Sequence, residues 1–226
     1  MDSDLIARRW DAEYRAGRYA GDPPLRFVGE ILSALDAHPA LRRGLGLYVG
    51  CGNGRNYLPL VDAGLRLCGL DLSLESLRQL AGRRPATSLP LVCGEFRAFS
   101  SARPFGYVVA LQVFQHGTAA DVAAYVEHAW ELLEPRGLLF LRINSAATQI
   151  YHAHTILERD ALGGVTVRYG AGPKTGLPVH FCSRDELAAL TRARFEPVGE
   201  VHEDVIARDA PKTGSWAQWQ GIWRRR

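Results

Sequence analysis

The chain has 226 residues, 47% of them hydrophobic, and sets 27 lysines and arginines against 24 aspartates and glutamates for a formal charge of +3. That is enough apolar matter for one core and too even a charge for a nucleic-acid surface. No apolar run reaches the roughly 18 residues of a membrane span. Cys51, Cys68, Cys93 and Cys182 lie far apart with no CxxC pair, so neither a zinc knuckle nor a disulfide framework is suggested, and no metal ligand set is expected.

The opening stretch, MDSDLIARRWDAEYR, places charges where a signal peptide needs an apolar core. A cytoplasmic protein is therefore expected, with residues 1–35 forming a helical cap. Apolar runs then alternate with helical stretches. Strands are expected at 45–50, 65–72, 90–94, 105–113 and 137–144, and helices at 55–64, 73–82 and 119–133. Continuous apolar strands between amphipathic helices predict a parallel sheet covered on both faces. After Asn144 the rhythm changes. Residues 164–181, GVTVRYGAGPKTGLPVHF, read as two short strands joined by a Gly/Pro/Lys turn, a rim hairpin within an insertion spanning 145–182. Ser183 followed by Glu186 predicts a capping box ahead of a helix. Strand candidates at 196–208 and 215–223 end the chain. Trp216, Trp219 and Trp223 read as core anchors, one of which could still close over a ligand, and the final Trp223-Arg-Arg-Arg run as a solvated, mobile terminus rather than a phosphate-binding arm.

The chemistry begins at LYVGCGNGRN, residues 47–56, where Gly50, Gly52 and Gly54 stand at the handover from the first strand to a helix. Backbone amides and a helix N-terminus converge there at the carboxyl edge of the sheet. Bare backbone would let a ribose or an amino-acid carboxylate close in, although a turn can need glycine for its dihedrals alone. Asp71 ends the second strand in GLDLS. Its carboxylate suits the two hydroxyls of a ribose, or else caps the helix that begins near Ser73. Nicotinamide dehydrogenases and S-adenosylmethionine enzymes share both features.

VGCGNG, GLDLS, the acidic CGEF after the third strand, LQVFQHG after the fourth and LLEPRGLLFLRIN leading into the fifth together resemble the class I S-adenosylmethionine-dependent methyltransferases over residues 45–144. More narrowly, WDAEYRAGRYAGDPP, RYGAGPKTGLPVHF and GSWAQWQGIWRR are similar to a bacterial branch of tellurite- and thiopurine-type small-molecule methyltransferases. The resemblance implies an α/β, Rossmann-like, mostly parallel seven-stranded sheet with an antiparallel last strand. It implies one domain over 1–226, with a cap at 1–35, a cofactor core at 45–144, a substrate-side insertion at 145–182 and a C-terminal helix and strand hairpin at 183–226.

Carried over by position, the resemblance puts S-adenosyl-L-methionine, or the product S-adenosyl-L-homocysteine, against Gly50, Cys51, Gly52, Asn53, Gly54 and Asn56. Asp71 and Leu72 would hold the ribose, Glu95 and Phe96 the adenine, and Gln112 the methionine end. A strand-one position often acidic in the family is Tyr48 here, so another group, such as Arg55 or a cap residue, must serve the amino-acid end. Methyl transfer is an in-line displacement whose acceleration can come from alignment. His116 is the candidate general base for an acceptor that carries a proton, with a hydrogen-bonded loop histidine as the alternative. Soft acceptors need no base. Trp10, Tyr14, Arg18 and Tyr19, with Tyr151, His152, His154, Arg168, Tyr169, Lys174 and His180, could shape an acceptor pocket whose basic groups suit an anionic or polar small molecule. Residues 8–24, broken by Gly17, Gly21 and Pro23-Pro24, read either as a lid or as a permanently packed helix. A monomer or homodimer is expected. The alternatives are an NAD(P)-dependent oxidoreductase, disfavoured by the altered ending, and an RNA methyltransferase or a non-catalytic S-adenosylmethionine binder.

Overall fold

The structure is a computed structural model that describes residues 3–85 and 89–226. They fall into two compact units, Met1–Val109 with Leu132–Gly137, and Ala110–Glu131 with Leu138–Arg226.

In the first unit, α1 (Ser3–Arg15), α2 (Phe27–Asp36) and the short α3 (Pro39–Arg43) precede β1 (Leu45–Val49). Then α4 (Tyr57–Asp62), β2 (Arg66–Asp71), α5 (Leu74–Gly82) and β3 (Leu91–Cys93) follow in the expected alternation. β1 pairs with β2 and β2 with β3, all parallel. Leu47, Tyr48 and Val49 are buried, as a strand covered on both faces requires. Tyr48 meets Tyr57 edge-on, with ring centroids 5.9 Å apart, and the Tyr57 hydroxyl donates to the Leu67 carbonyl at 2.9 Å. Two polar-tipped rings are thus buried with their hydroxyls engaged.

β4 (Phe105–Leu111), α6 (Ala119–Leu132) and β5 (Leu133–Asn144) contribute residues to both units. The second unit adds β6 (His154–Arg159), β7 (Val165–Tyr169), β8 (Pro178–Phe181), α7 (Arg184–Arg192), β9 (Phe195–Pro197), β10 (His202–Ala207) and β11 (Ser215–Arg225). The main sheet runs β10-β11-β5-β4-β1-β2-β3, with β9 also paired to β11. β11 is antiparallel to β5, β10 and β9. This is the Rossmann-like, mostly parallel sheet with its antiparallel last strand.

Several expectations need correction. The sheet has eight strands rather than seven, because the 196–208 candidate breaks around Gly199 (φ 79°) into β9 and β10. The rim insertion is a three-stranded sheet, β6-β7-β8. β6 escaped notice because every residue from His154 to Arg159 is exposed, which erases the alternation that announces a strand. The capping box is only half formed. Ser183 Oγ accepts from the Glu186 amide at 3.0 Å, while the Glu186 carboxylate goes to His180. The terminal arginines are not a loose tail. Arg224 and Arg225 lie in β11, and the Arg226 amide donates to the Arg194 carbonyl at 2.9 Å. Arg225 and Arg194 both lie over the Trp130 ring, at 4.3 and 4.0 Å from its centroid. Trp219 and Trp223 are buried as core anchors should be, whereas Trp216 is half-buried. Among the described residues no helix is long and apolar enough to cross a membrane.

Candidate functional site

The end of β1 is stitched to β2, since the amides of Gly50 and Cys51 both donate to the Leu70 carbonyl, at 2.8 and 3.2 Å. Gly50, Gly52 and Gly54 all have positive φ, at 69°, 54° and 94°. A Cβ on Gly52 would stand 2.5 Å from the Tyr14 hydroxyl oxygen, and one on Gly54 would stand 2.5 Å from Leu80 Cδ1. Bare backbone at these two positions therefore serves the protein's own packing, admitting Tyr14 of α1 and seating α5.

Asp71 is not itself the cap of the helix that follows it. Its Oδ2 accepts from the Gly52 amide at 2.7 Å and its Oδ1 from the Ser73 amide at 2.8 Å. The N-cap of α5 is Ser73, whose hydroxyl accepts from the Ser76 amide at 3.1 Å. Asp71 is thus a brace between the glycine loop and the end of β2. Ser76 adds a side-chain hydrogen bond to the same carboxylate. Burial, outweighing the two amide bonds and the Ser76 bond, raises its pKa above the ordinary 3.8. The β2–β3 register sets Asp71 opposite Cys93, and the Gly94 amide donates to the Asp71 carbonyl at 3.0 Å. Glu95 therefore leaves β3 beside Asp71, its Oε1 accepting from Arg97 Nε at 2.9 Å, and Phe96 opens a 3₁₀ turn with its ring buried. Leu72 is half-buried, and its carbonyl accepts from the Cys93 thiol at 3.7 Å.

The N-terminal segment is fastened to this loop. Asp11 Oδ1 accepts from the Ser73 hydroxyl at 2.6 Å and from the Glu75 amide at 3.0 Å, and Gln79 Nε2 donates to the Tyr14 carbonyl at 3.0 Å. Tyr14 is buried at 8% exposure. Burial, then the Asp71 carboxylate, pushes its hydroxyl pKa up. Beyond α1, the Arg18 carbonyl accepts from Asn53 Nδ2 at 3.4 Å, the Pro23 carbonyl from Arg55 Nε at 2.7 Å, and the Leu25 amide donates to Asn56 Oδ1 at 2.8 Å. Tyr48, where an acid was expected, hydrogen-bonds Asn56. Asn53, Arg55 and Asn56 thus hold residues 18–25 as a strap, and Tyr48 holds Asn56. Cys51 is buried, with its thiol pKa raised by that burial. Trp10 and Tyr19 are half-buried, Tyr19 with φ 59°.

In the second unit, Gln112 follows β4 with φ 60°, a left-handed conformation few non-glycine residues adopt. Its amide donates to the Arg142 carbonyl at 2.8 Å and its Nε2 to Gln218 Oε1 at 2.8 Å. His116 is half-buried, and its carbonyl accepts from the Tyr125 hydroxyl at 3.3 Å. His152 lies edge-on between Tyr151 and Tyr169, at 5.2 and 6.2 Å, with His154 and Arg168 exposed and Lys174 half-buried.

His180 belongs to the interior instead. It is fully buried, with Nδ1 2.8 Å from Thr166 Oγ1 and Nε2 2.8 and 2.9 Å from the Glu186 carboxylate oxygens. Thr166 Oγ1 donates to Glu158 Oε1 at 2.6 Å, so its oxygen is left to accept from Nδ1–H. The spacing H-x-C-x₃-E also gathers donor atoms of His180, Cys182 and Glu186 within 4.8 Å. Sequence reasoning missed this grouping, for which alternating polar positions next to the Ser183 cap were the available signal.

Residues 47–139 match a family model described as a methyltransferase domain. Among solved structures, the chain is similar to the 1,6-didemethyltoxoflavin-N1-methyltransferase of Burkholderia thailandensis, with bound 1,6-didemethyltoxoflavin and S-adenosylhomocysteine. The TM-score is 0.67 and the identity 20%, covering 99% of this chain and 88% of that one. Magnesium protoporphyrin IX methyltransferase from Synechocystis PCC 6803, with bound S-adenosylmethionine, gives 0.65 at 14% identity, covering 100% and 98%. TehB from Haemophilus influenzae gives 0.65 at 14%, covering 96% and 67%. No curated protein matches the chain.

Proposed function

We propose that the chain is a class I S-adenosylmethionine-dependent methyltransferase, a reading its domain match and fold support, and that it methylates a small-molecule nucleophile, through nitrogen, oxygen or a chalcogen. The observation that carries the cofactor side is Asp71, a carboxylate at the carboxyl end of β2 that holds the amides of Gly52 and Ser73 and a side-chain bond with Ser76, and that as a four-site acceptor has capacity beyond these three. That acceptor fits the vicinal diol of a ribose, and Glu95 in the neighbouring strand's exit fits an adenine amino group. Gln112 is the residue we assign to the amino-acid end. When bound, the cofactor supplies an activated sulfonium methyl.

The chain's own residues then bind, orient and exclude water. Asp71 fixes the ribose against a loop it also braces, so ligand and loop share one rigid anchor. Tyr14 and the strap at residues 18–25 cover that loop. His116 is the base we assign where the acceptor carries a proton. Tyr151, His152 and Tyr169 form an edge-to-face aromatic group with Arg168 and Lys174 near them in sequence, which supports a polar or anionic acceptor. Trp10 and Tyr19 remain acceptor-side candidates. Tyr14 and His180 do not, since both side chains are engaged in packing or in buried hydrogen bonds.

Calorimetric titration with S-adenosylhomocysteine, and separately with NAD and NADP, tests the cofactor assignment. Heat is expected with the first alone, and binding of a nicotinamide dinucleotide without the first would falsify it. Screening N-heteroaromatic, carboxylate and chalcogenide acceptors with labelled S-adenosylmethionine then tests the acceptor class.

A further inference from the structure

Arg142 sits inside β5 with 2% of its surface exposed, a place where a cation survives only with every donor engaged. Its Nε donates to Gln218 Oε1 at 2.7 Å, one terminal nitrogen to Gln220 Oε1, and the other to Asp204 Oδ2 at 2.5 Å. A guanidinium can only donate, so the Gln218 atom it meets must be oxygen. The other arm of that amide, Nε2, donates to Asn144 Oδ1 at 3.2 Å, which agrees.

The same Gln218 oxygen accepts from the Gln112 side chain, so the Gln112 atom facing it must be the NH₂. The two possible flips of a glutamine amide, alike in shape, are thereby reduced to one. With its nitrogen held, Gln112 is left with Oε1 on the opposite arm as an acceptor. The Arg142 carbonyl meanwhile holds the Gln112 amide in its left-handed turn. One residue thus sets both the backbone and the side-chain polarity of Gln112.

We infer that Arg142 is a positioning residue which, through Gln218, fixes Gln112 with its carbonyl oxygen outward to accept from the α-ammonium at the amino-acid end of the cofactor. This rests on the reading above that Gln112 meets that end. An acceptor there suits a cation, whereas the flipped amide would present two N–H groups to it.

The test uses the full chain and two ligands, S-adenosylhomocysteine and 5′-methylthioadenosine, which shares the nucleoside but lacks the amino acid. Gln112→Ala and Gln218→Leu are each expected to weaken S-adenosylhomocysteine about tenfold, the scale of one charged hydrogen bond, and to leave methylthioadenosine within about twofold. The double variant should be no weaker than either single one. Gln218→Glu, which still accepts from both Arg142 and Gln112, should keep near-native affinity, and Arg142→Lys should behave like Gln218→Leu. If Gln218→Leu leaves S-adenosylhomocysteine unchanged while Gln112→Ala weakens it, or if the two losses add, or if both ligands weaken together, the positioning role is overturned and Gln112 keeps its place. If Gln112→Ala has no effect, the reading of Gln112 falls and takes this role with it. Failure of both ligands to bind the unaltered chain overturns the cofactor assignment itself.

Discussion

Asp71→Asn separates the brace from the ribose contact. The carboxylate accepts amides at 2.7 and 2.8 Å from residues on two different loops. An asparagine keeps one oxygen, so one amide is left facing an NH₂. Losing one bond to a charged acceptor costs about 1.5–3 kcal/mol, but the neutral side chain also escapes the burial that raises the Asp71 pKa. The net loss of stability without ligand is expected to be about 1 kcal/mol. Ribose binding loses the charge of its acceptor and one of its two oxygens, worth about 2 kcal/mol or about 30-fold in affinity. Urea denaturation gives the first quantity and calorimetry with S-adenosylhomocysteine the second. An affinity within twofold of the unaltered chain, with the fold intact, would leave Asp71 as a brace alone and remove the ribose from it.

Because the folded pKa of Asp71 lies above the ordinary 3.8, the folded chain keeps this proton to a higher pH than the unfolded chain does. Its contribution to stability therefore declines as pH rises from about 3.8 through the folded value and is level above it. Binding needs the carboxylate, so S-adenosylhomocysteine affinity should fall as pH drops through that raised value, and the slope should vanish in Asp71→Asn; an unchanged slope in the variant assigns the proton elsewhere. Gly52→Ala combines a φ of 54° with a Cβ 2.5 Å from the Tyr14 oxygen and should cost about 2 kcal/mol in urea denaturation. Adding Tyr14→Phe should recover part of this, and strict additivity of the two losses would refute the contact. Hydrogen exchange should be slow in α1 with or without ligand and should slow on adding S-adenosylhomocysteine only at residues 16–25, whose ties are few polar bonds; uniform protection across 3–25 beforehand would make the strap a fixed part of the core.

The alternation that placed β1 to β5 was legible because those strands are apolar on both faces, and the glycine loop and Asp71 stood at their ends. What escaped depends on partners distant in sequence. Asp11 accepts from the Glu75 amide in the first turn of α5 from 64 residues away, and no local pattern announces that. The final strand was legible for its tryptophans but not for Gln218 and Gln220, buried at 1% and 3%, because interior amides break the apolar rhythm and acquire meaning only opposite Arg142. The insertion was read as a hairpin since β7 and β8 have buried positions, while the wholly exposed β6 carries no burial signature. His180 looked like a pocket residue by company, yet its partners Thr166 and Glu186 draw it inward.

The bonds from Asp11 to Ser73 and Glu75 also bear on the order in which the chain can assemble. A ribosome releases α1 first, but its docking surface exists only after α5 has emerged, so α1 must wait with Trp10 and Tyr14 uncovered. The glycine loop reaches its final shape later still, when Tyr14 settles against Gly52. Residues at the very start of the chain therefore complete the glycine loop only after α5 is in place. Deleting residues 1–22 would strip α5 of an N-terminal acceptor and the loop of its cover together, so a shortened chain is expected to fold poorly rather than simply lose methyl transfer.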